Sequence, residues 1–360
     1  MNTEALLRKY GTGDRDFSGV NLHNVNLKGL VLPNLDLWDA DLGEASLRGT
    51  DLQRAILGRT HLYGTDFREA NLAGADLRNA DFSEAILDST NLQGALYDET
   101  TQFPQSYDPT AVGAYRIAPG ANLQQADLHG LNLSGADLGG ADLTQALLHQ
   151  AILFGICLRH AKLSRAALTD ADLTEADLQA ADLSGTNLHG ADLTQTDLRR
   201  STLSSSTLSE ANLTDADLRK VNLFGADLRT AILHNTNFQG ALYDSTTQFP
   251  DGFDPIAAGA YRITPDVSLA GAELGGVRLA GADLSQANLV GAYLCGADFW
   301  GANLSEADLT GADLTYANLW GANLAHANLS NANLSNATLL DVNLSDTILD
   351  GAIGVSTLDS

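Results

Sequence analysis

Ala75-Asp76-Leu77-Arg78-Asn79 is one unit of a pattern with a period of five. Its third position is a large apolar residue. In a first block that position runs through Phe17, Leu22, Leu27 and Leu32 to Leu92, then Tyr97. A second block runs from Leu123 through Leu128 and Leu133 to Phe238, then Tyr243, and a third from Leu269 through Phe299 to Leu349. Five residues match neither the 3.6 period of a helix nor the two-residue period of an unbroken strand. They match a short extended side followed by a corner. Alternation over Ala-Asp-Leu puts alanine and leucine on one side and the acid on the other. The last two residues, often Ser, Thr, Gly or Glu, suit a bend. Repetition then winds the chain into coils about 4.8 Å apart. Each buried leucine contributes about 1.5–3 kcal/mol. A lone coil cannot bury its own apolar edge, so the coils must stack.

The number of sides follows from block lengths. Phe17 to Tyr97 is 80 residues and Leu123 to Tyr243 is 120, both multiples of 20. Four pentads per coil would let both blocks end on the same wall. Residues 20 apart then form columns, such as Lys28, Arg48 and Arg68, or Trp300 and Trp320.

These units resemble the pentapeptide-repeat family, whose A(D/N)Lxx repeats form a right-handed, four-sided parallel β-helix. The resemblance covers Phe17 to Leu92, Leu123 to Phe238 and Leu269 to Leu349. The opening from Met1 to Tyr10, followed by Gly13-Asp14-Arg15-Asp16-Phe17, looks like the leader of cyanobacterial members. The family implies little about function. A subset with acidic, DNA-like surfaces inhibits bacterial type II topoisomerase, and that subset supplies the alternative to a scaffold role.

Composition narrows the classes further. The formal net charge is -25, yet 44% of residues are hydrophobic, and their strict spacing excludes a disordered acidic chain. Residues 266–360 carry 11 acids against the single base Arg278. Such a surface disfavours direct contact with nucleic acid or an anionic membrane. The start is polar and no stretch approaches a membrane span. Cys157 and Cys295 are too far apart on a rod to bridge, so a cytoplasmic, reducing setting is expected.

The expected organisation is a cap (1–16), a first block (17–96), an insert (97–122), a second block (123–242), an insert (243–268), a third block (269–352) and a tail (353–360). Residues 3–10 read as a capping helix with Leu6, Leu7 and Tyr10 on one face. The two inserts are near-copies. Each spans 26 residues from its tyrosine to the next leucine, one more than five pentads. Pro104, Pro109, Pro250 and Pro255 cannot donate to a ladder, so part of each insert must leave the wall. Asp108 and Asp254 precede prolines as turn signals, while Phe103, Tyr107, Phe249 and Phe253 are expected to anchor the excursions. If the inserts tilt the blocks, the molecule is three pieces; otherwise it is one cylinder roughly 65–70 Å long.

Three surface features stand out. Trp300, Trp320 and Leu340 form one outward column near Tyr316, either a partner or homodimer contact at the C-terminal end or a shielded corner. Arg199, Arg200, Arg219 and Lys220 form a basic patch beside Asp177, Asp197 and Asp217, read as a neutralised acidic ladder with an anion site as the alternative. Asn288, Asn303, Asn318, Asn323, Asn328, Asn333 and Asn343 suggest stacked amides in the third block, unlike a uniformly charged duplex mimic. His129, His149 and His189 share a column that Thr169 interrupts, a poor metal site. A filled leucine core leaves no pocket for catalysis. The expectation is therefore a non-catalytic interaction scaffold without cofactor or metal, its partner a protein.

Overall fold

Each pentad closes on a turn whose chemistry is written in its residues. In a computed structural model that describes residues 1–355, the Leu77 carbonyl accepts the Ala80 N–H at 3.0 Å, with Asn79 between them at φ 63°. A positive φ at the third turn position defines a type II turn, which favours Gly and Asn. The Asp76 side chain accepts the Arg78 N–H at 3.1 Å, so the Asp/Asn slot fixes the start of the bend as well as facing outward. That bond recurs along the chain and explains why the slot prefers a short polar side chain over a merely soluble one.

Successive coils pair in parallel at an offset of 20: Ile56 with Asp76, and Asp76 with Leu96. The Asp298–Asn318 pair places Trp300 and Trp320 on one wall. The solenoid is therefore four-sided. Leucine and alanine fill it almost without exposure, with Phe67, Phe82, Phe238 and Phe299 in leucine slots. Some alanine slots hold threonine, whose hydroxyl reaches a carbonyl one coil away, as Thr50 does to Leu27 at 2.8 Å.

A helix, α1 (Thr3–Gly11), closes the first edge, capped by the Asn2 side chain accepting the Ala5 N–H at 2.9 Å. Leu6 is fully buried on the first coil, and the Tyr10 hydroxyl donates to the Pro33 carbonyl at 3.1 Å. Leu7 does not share that face. It points to solvent, because only one helix stripe meets the coil.

The blocks do not continue as one cylinder. Three cores form, one per block. The surplus residue of each insert is absorbed in a tight turn at Asp98–Thr101 or Asp244–Thr247, after which Asp81 pairs with Gln102 and Asp227 with Gln248, an offset of 21. The chain then returns so that β1 (Leu96–Tyr97) pairs with β2 (Tyr115–Arg116), and β3 (Leu242–Tyr243) with β4 (Tyr261–Arg262). Phe103 stacks on Phe82 and on Tyr107 with ring centroids 5.6 and 5.7 Å apart, covering the end of the first core. Phe249 and Phe253 pack on Phe238 at 6.1 and 5.2 Å, covering the second. Asp108 and Asp254 each accept two backbone N–H groups just beyond the following proline.

At the far end the third core is thinner: Ala337, Leu339, Val342, Leu344 and Leu349 are only half-buried. Ile353 still pairs with Asn333. Residues 356–360 of the expected tail lie outside the described residues.

Candidate interaction surfaces

The residue after each central leucine leans out from the wall, so a large side chain there has no core to enter. The Gly281, Gly301 and Gly321 N–H groups donate to the carbonyls of Trp300, Trp320 and Leu340 at 2.8, 2.9 and 2.9 Å. That ladder fixes the three side chains in a vertical row one coil apart. Trp300, Trp320 and Leu340 are 55%, 46% and 59% exposed. The Trp320 indole N–H donates to Asp341 Oδ2 at 3.0 Å, which orients its ring. Tyr316 is 66% exposed and sits at a corner with φ 60°, where the preceding coil has Gly296. A bulky residue there costs about 1–2 kcal/mol relative to glycine.

The four basic residues of the second block do not face one ligand. Arg199 chelates Asp197 through Nε and Nη2 at 2.8 and 2.5 Å, and Arg219 holds Asp217 in the same way. Burial pushes the Asp197 carboxyl up, but Arg199 and the backbone bond outweigh it and leave it below the usual range. Lys220 Nζ donates instead to the Gly275 carbonyl of the third block at 3.0 Å, and burial lowers its pKa. Arg200 lies against Gly276. Two cations thus neutralise an acidic column and two serve the contact between blocks.

One amide column stacks as expected, whereas Asn318 donates to Asp298 and Asn328 to Thr310. Asn303, Asn323 and Asn343 pass a hydrogen bond from coil to coil, each amide donating to the oxygen below at 3.0, 3.1 and 2.8 Å. His129 bonds Asp127 at 2.7 Å, while His189 bonds Ser209 at 2.9 Å. Among the described residues no three His, Cys, Asp or Glu side chains converge on a metal position.

Sequence reasoning passed over the two joints. Leu96 and Leu242 occupy the outward Asp/Asn slot, yet both are buried in the core of the following block. Each leucine, with Ile117 or Ile263, plugs the open start of the next solenoid, so that solenoid rises from the flank of its predecessor. Arg78 donates to the Asn132 carbonyl at 2.9 Å and Asn222 to the Arg278 carbonyl at 3.1 Å, pinning each flank. The first joint leaves a cleft of about 850 Å³ that includes Trp38, Arg54 and Asp137.

A family model for pentapeptide repeats matches residues 16–96, 119–242 and 266–353 in overlapping segments. The chain belongs to the pentapeptide-repeat family. Its matched segments leave out most of both inserts. Among solved pentapeptide-repeat structures, one from Nostoc PCC 7120 is 40% identical over 28% of this chain and 84% of its own, with a TM-score of 0.28. HetL, from the same Nostoc strain and involved in heterocyst differentiation regulation, is 27% identical over 98% and 97%, with a TM-score of 0.20. QnrB1, a plasmid-mediated fluoroquinolone resistance protein, is 17% identical over 64% and 91%, with a TM-score of 0.30. No curated protein matches the chain. A pentapeptide-repeat wall presents its outward side chains in columns at a spacing of 20 residues. Among the described residues no helix is long and apolar enough to cross a membrane.

Proposed function

We propose that this pentapeptide-repeat protein is a non-catalytic scaffold that binds a protein partner through its outer walls. The observation that carries this reading is the row of Trp300, Trp320 and Leu340, with Tyr316 beside it. Exposed aromatic rings held rigidly on adjacent coils bring large contact area at little entropic cost. The thin third core near this row supports a second copy at the C-terminal end as one form of that partner. Two unpaired cysteines support action in the cytoplasm. Affinity capture from the source cell, comparing wild type with Trp300→Ala/Trp320→Ala, tests the row: a specific partner should be lost in the double variant. Equal recovery of every partner overturns it, and light scattering on the same pair identifies self-association.

A second reading is a regulator of a DNA-binding enzyme such as a type II topoisomerase. It is favoured by the third block, whose one Lys or Arg, Arg278, is tied into the joint and leaves the outer walls acidic. The stacked amides break that field into patches. Inhibition of DNA supercoiling by the purified chain, relieved by added duplex, would establish this reading, and no inhibition would dismiss it.

A further inference from the structure

The two joints are copies displaced by the spacing from Leu96 to Leu242, and that correspondence identifies an empty seat. Arg54 meets Gly130 in the first joint as Arg200 meets Gly276 in the second. By the same spacing Asn132 corresponds to Arg278, Asn34 to Ala180 and Asp36 to Asp182, while Ile56 stands where the second joint has Thr202. In the second joint the Arg278 guanidinium lies across the neighbouring wall. Nη1 donates to Thr202 Oγ1 and Nη2 to the Ala180 carbonyl, both at 3.0 Å. In the first joint Asn132 is too short to do this, and its amide oxygen is taken by Ser134. The cleft of about 850 Å³ stands there instead.

Its walls suit a cation. Five carboxylates line it (Asp36, Asp76, Asp98, Glu99 and Asp137) against two guanidiniums. Both guanidiniums are already engaged: Arg78 on Asp76 at 2.6 Å, Arg54 on His129 at 2.7 Å. Trp38, where the second joint has Ser184, adds an aromatic face. We infer that this cleft receives an arginine side chain from a partner protein, its guanidinium taken by the Asn34 carbonyl and Asp36, the counterparts of Ala180 and Asp182 beside Arg278. The planar guanidinium matches a carboxylate and a carbonyl together and stacks on indole. This assignment deepens the scaffold reading and rests on it, but uses a different surface from the tryptophan row.

The test uses the full chain with Trp300→Phe and Trp320→Phe, which leaves Trp38 as the one tryptophan. A capped Gly-Arg-Gly peptide should change its fluorescence saturably, and Gly-Gln-Gly should bind at least tenfold more weakly. Asn132→Arg, which copies the second joint, should abolish the response. Asp36→Asn keeps an acceptor for the Trp38 backbone N–H and should weaken binding about tenfold. Calorimetry on Arg278→Ala should find two sites where the parent has one. No response in the parent, or an equal response in both Asn132→Arg and Asp36→Asn, overturns the assignment. Either result leaves the tryptophan row to be judged by capture.

Discussion

Leu242 and Tyr243 are consecutive residues that lie in different cores: Leu242 in the third block and Tyr243 in the second. Strand alternation sends neighbours to opposite faces, and here each face is the interior of a separate solenoid. One dipeptide therefore ends one core and starts another. Leu242→Asn restores the repeat's usual residue at that slot but puts an amide in an apolar plug. The expected cost is about 2–5 kcal/mol, concentrated in the third block. Hydrogen exchange should accelerate over residues 269–284 and remain slow in the first block; uniform exchange would contradict the plug.

Ser201 offers the opposite test. It fills an alanine slot, and its buried hydroxyl oxygen has no hydrogen-bond partner among the described residues. Ser201→Ala should raise stability by about 1 kcal/mol. Thr196, one pentad earlier, donates to the Leu173 carbonyl at 2.8 Å. Thr196→Ala should be neutral or destabilising, so only Ser201→Ala should raise the denaturant midpoint.

Removing the surface aromatics should hardly touch the fold. Trp300→Ala/Trp320→Ala deletes side chains outside the core, so the denaturation midpoint should correspond to a change within about 0.5 kcal/mol per site. A larger loss would mean that the rings brace the wall, which would weaken their case as an interface.

Acid should destabilise the chain. A side-chain bond from Arg68 holds the Asp66 carboxyl below its ordinary range, as Arg229 does for Asp227 and Ser285 for Asp283. Groups depressed in the folded state stabilise it above their unfolded pKa, near 4 for aspartate. That contribution disappears as pH falls through the folded values. Thermal midpoints should be flat from pH 7 to about 5 and decline below about 4; a midpoint that rises on acidification would refute this.

The pentad was legible because its period repeats over most of the chain, and four sides followed from block lengths together with the columns of Lys28, Arg48 and Arg68 and of Trp300 and Trp320. The inserts' anchors were legible too, since a proline cannot stay in a ladder and an aromatic beside it must pack somewhere. The joints were hidden for a physical reason. Leu147, Ile152 and Ile232 occupy the same outward slot as Leu96 and Leu242 yet face solvent. Only the arrival of another solenoid separates a plug from an exposed aliphatic, and that is a tertiary event. The basic patch failed to assemble for a similar reason: position set the column, but Lys220 was recruited by a carbonyl 55 residues ahead.

A plug set in one wall also acts as a compass. The slot recurs every five residues, once per wall, so moving the leucine and its insert a single pentad along would send the daughter solenoid off the adjacent wall. Branch heading and branch length would then be set independently, one by where the leucine falls and the other by how many pentads follow.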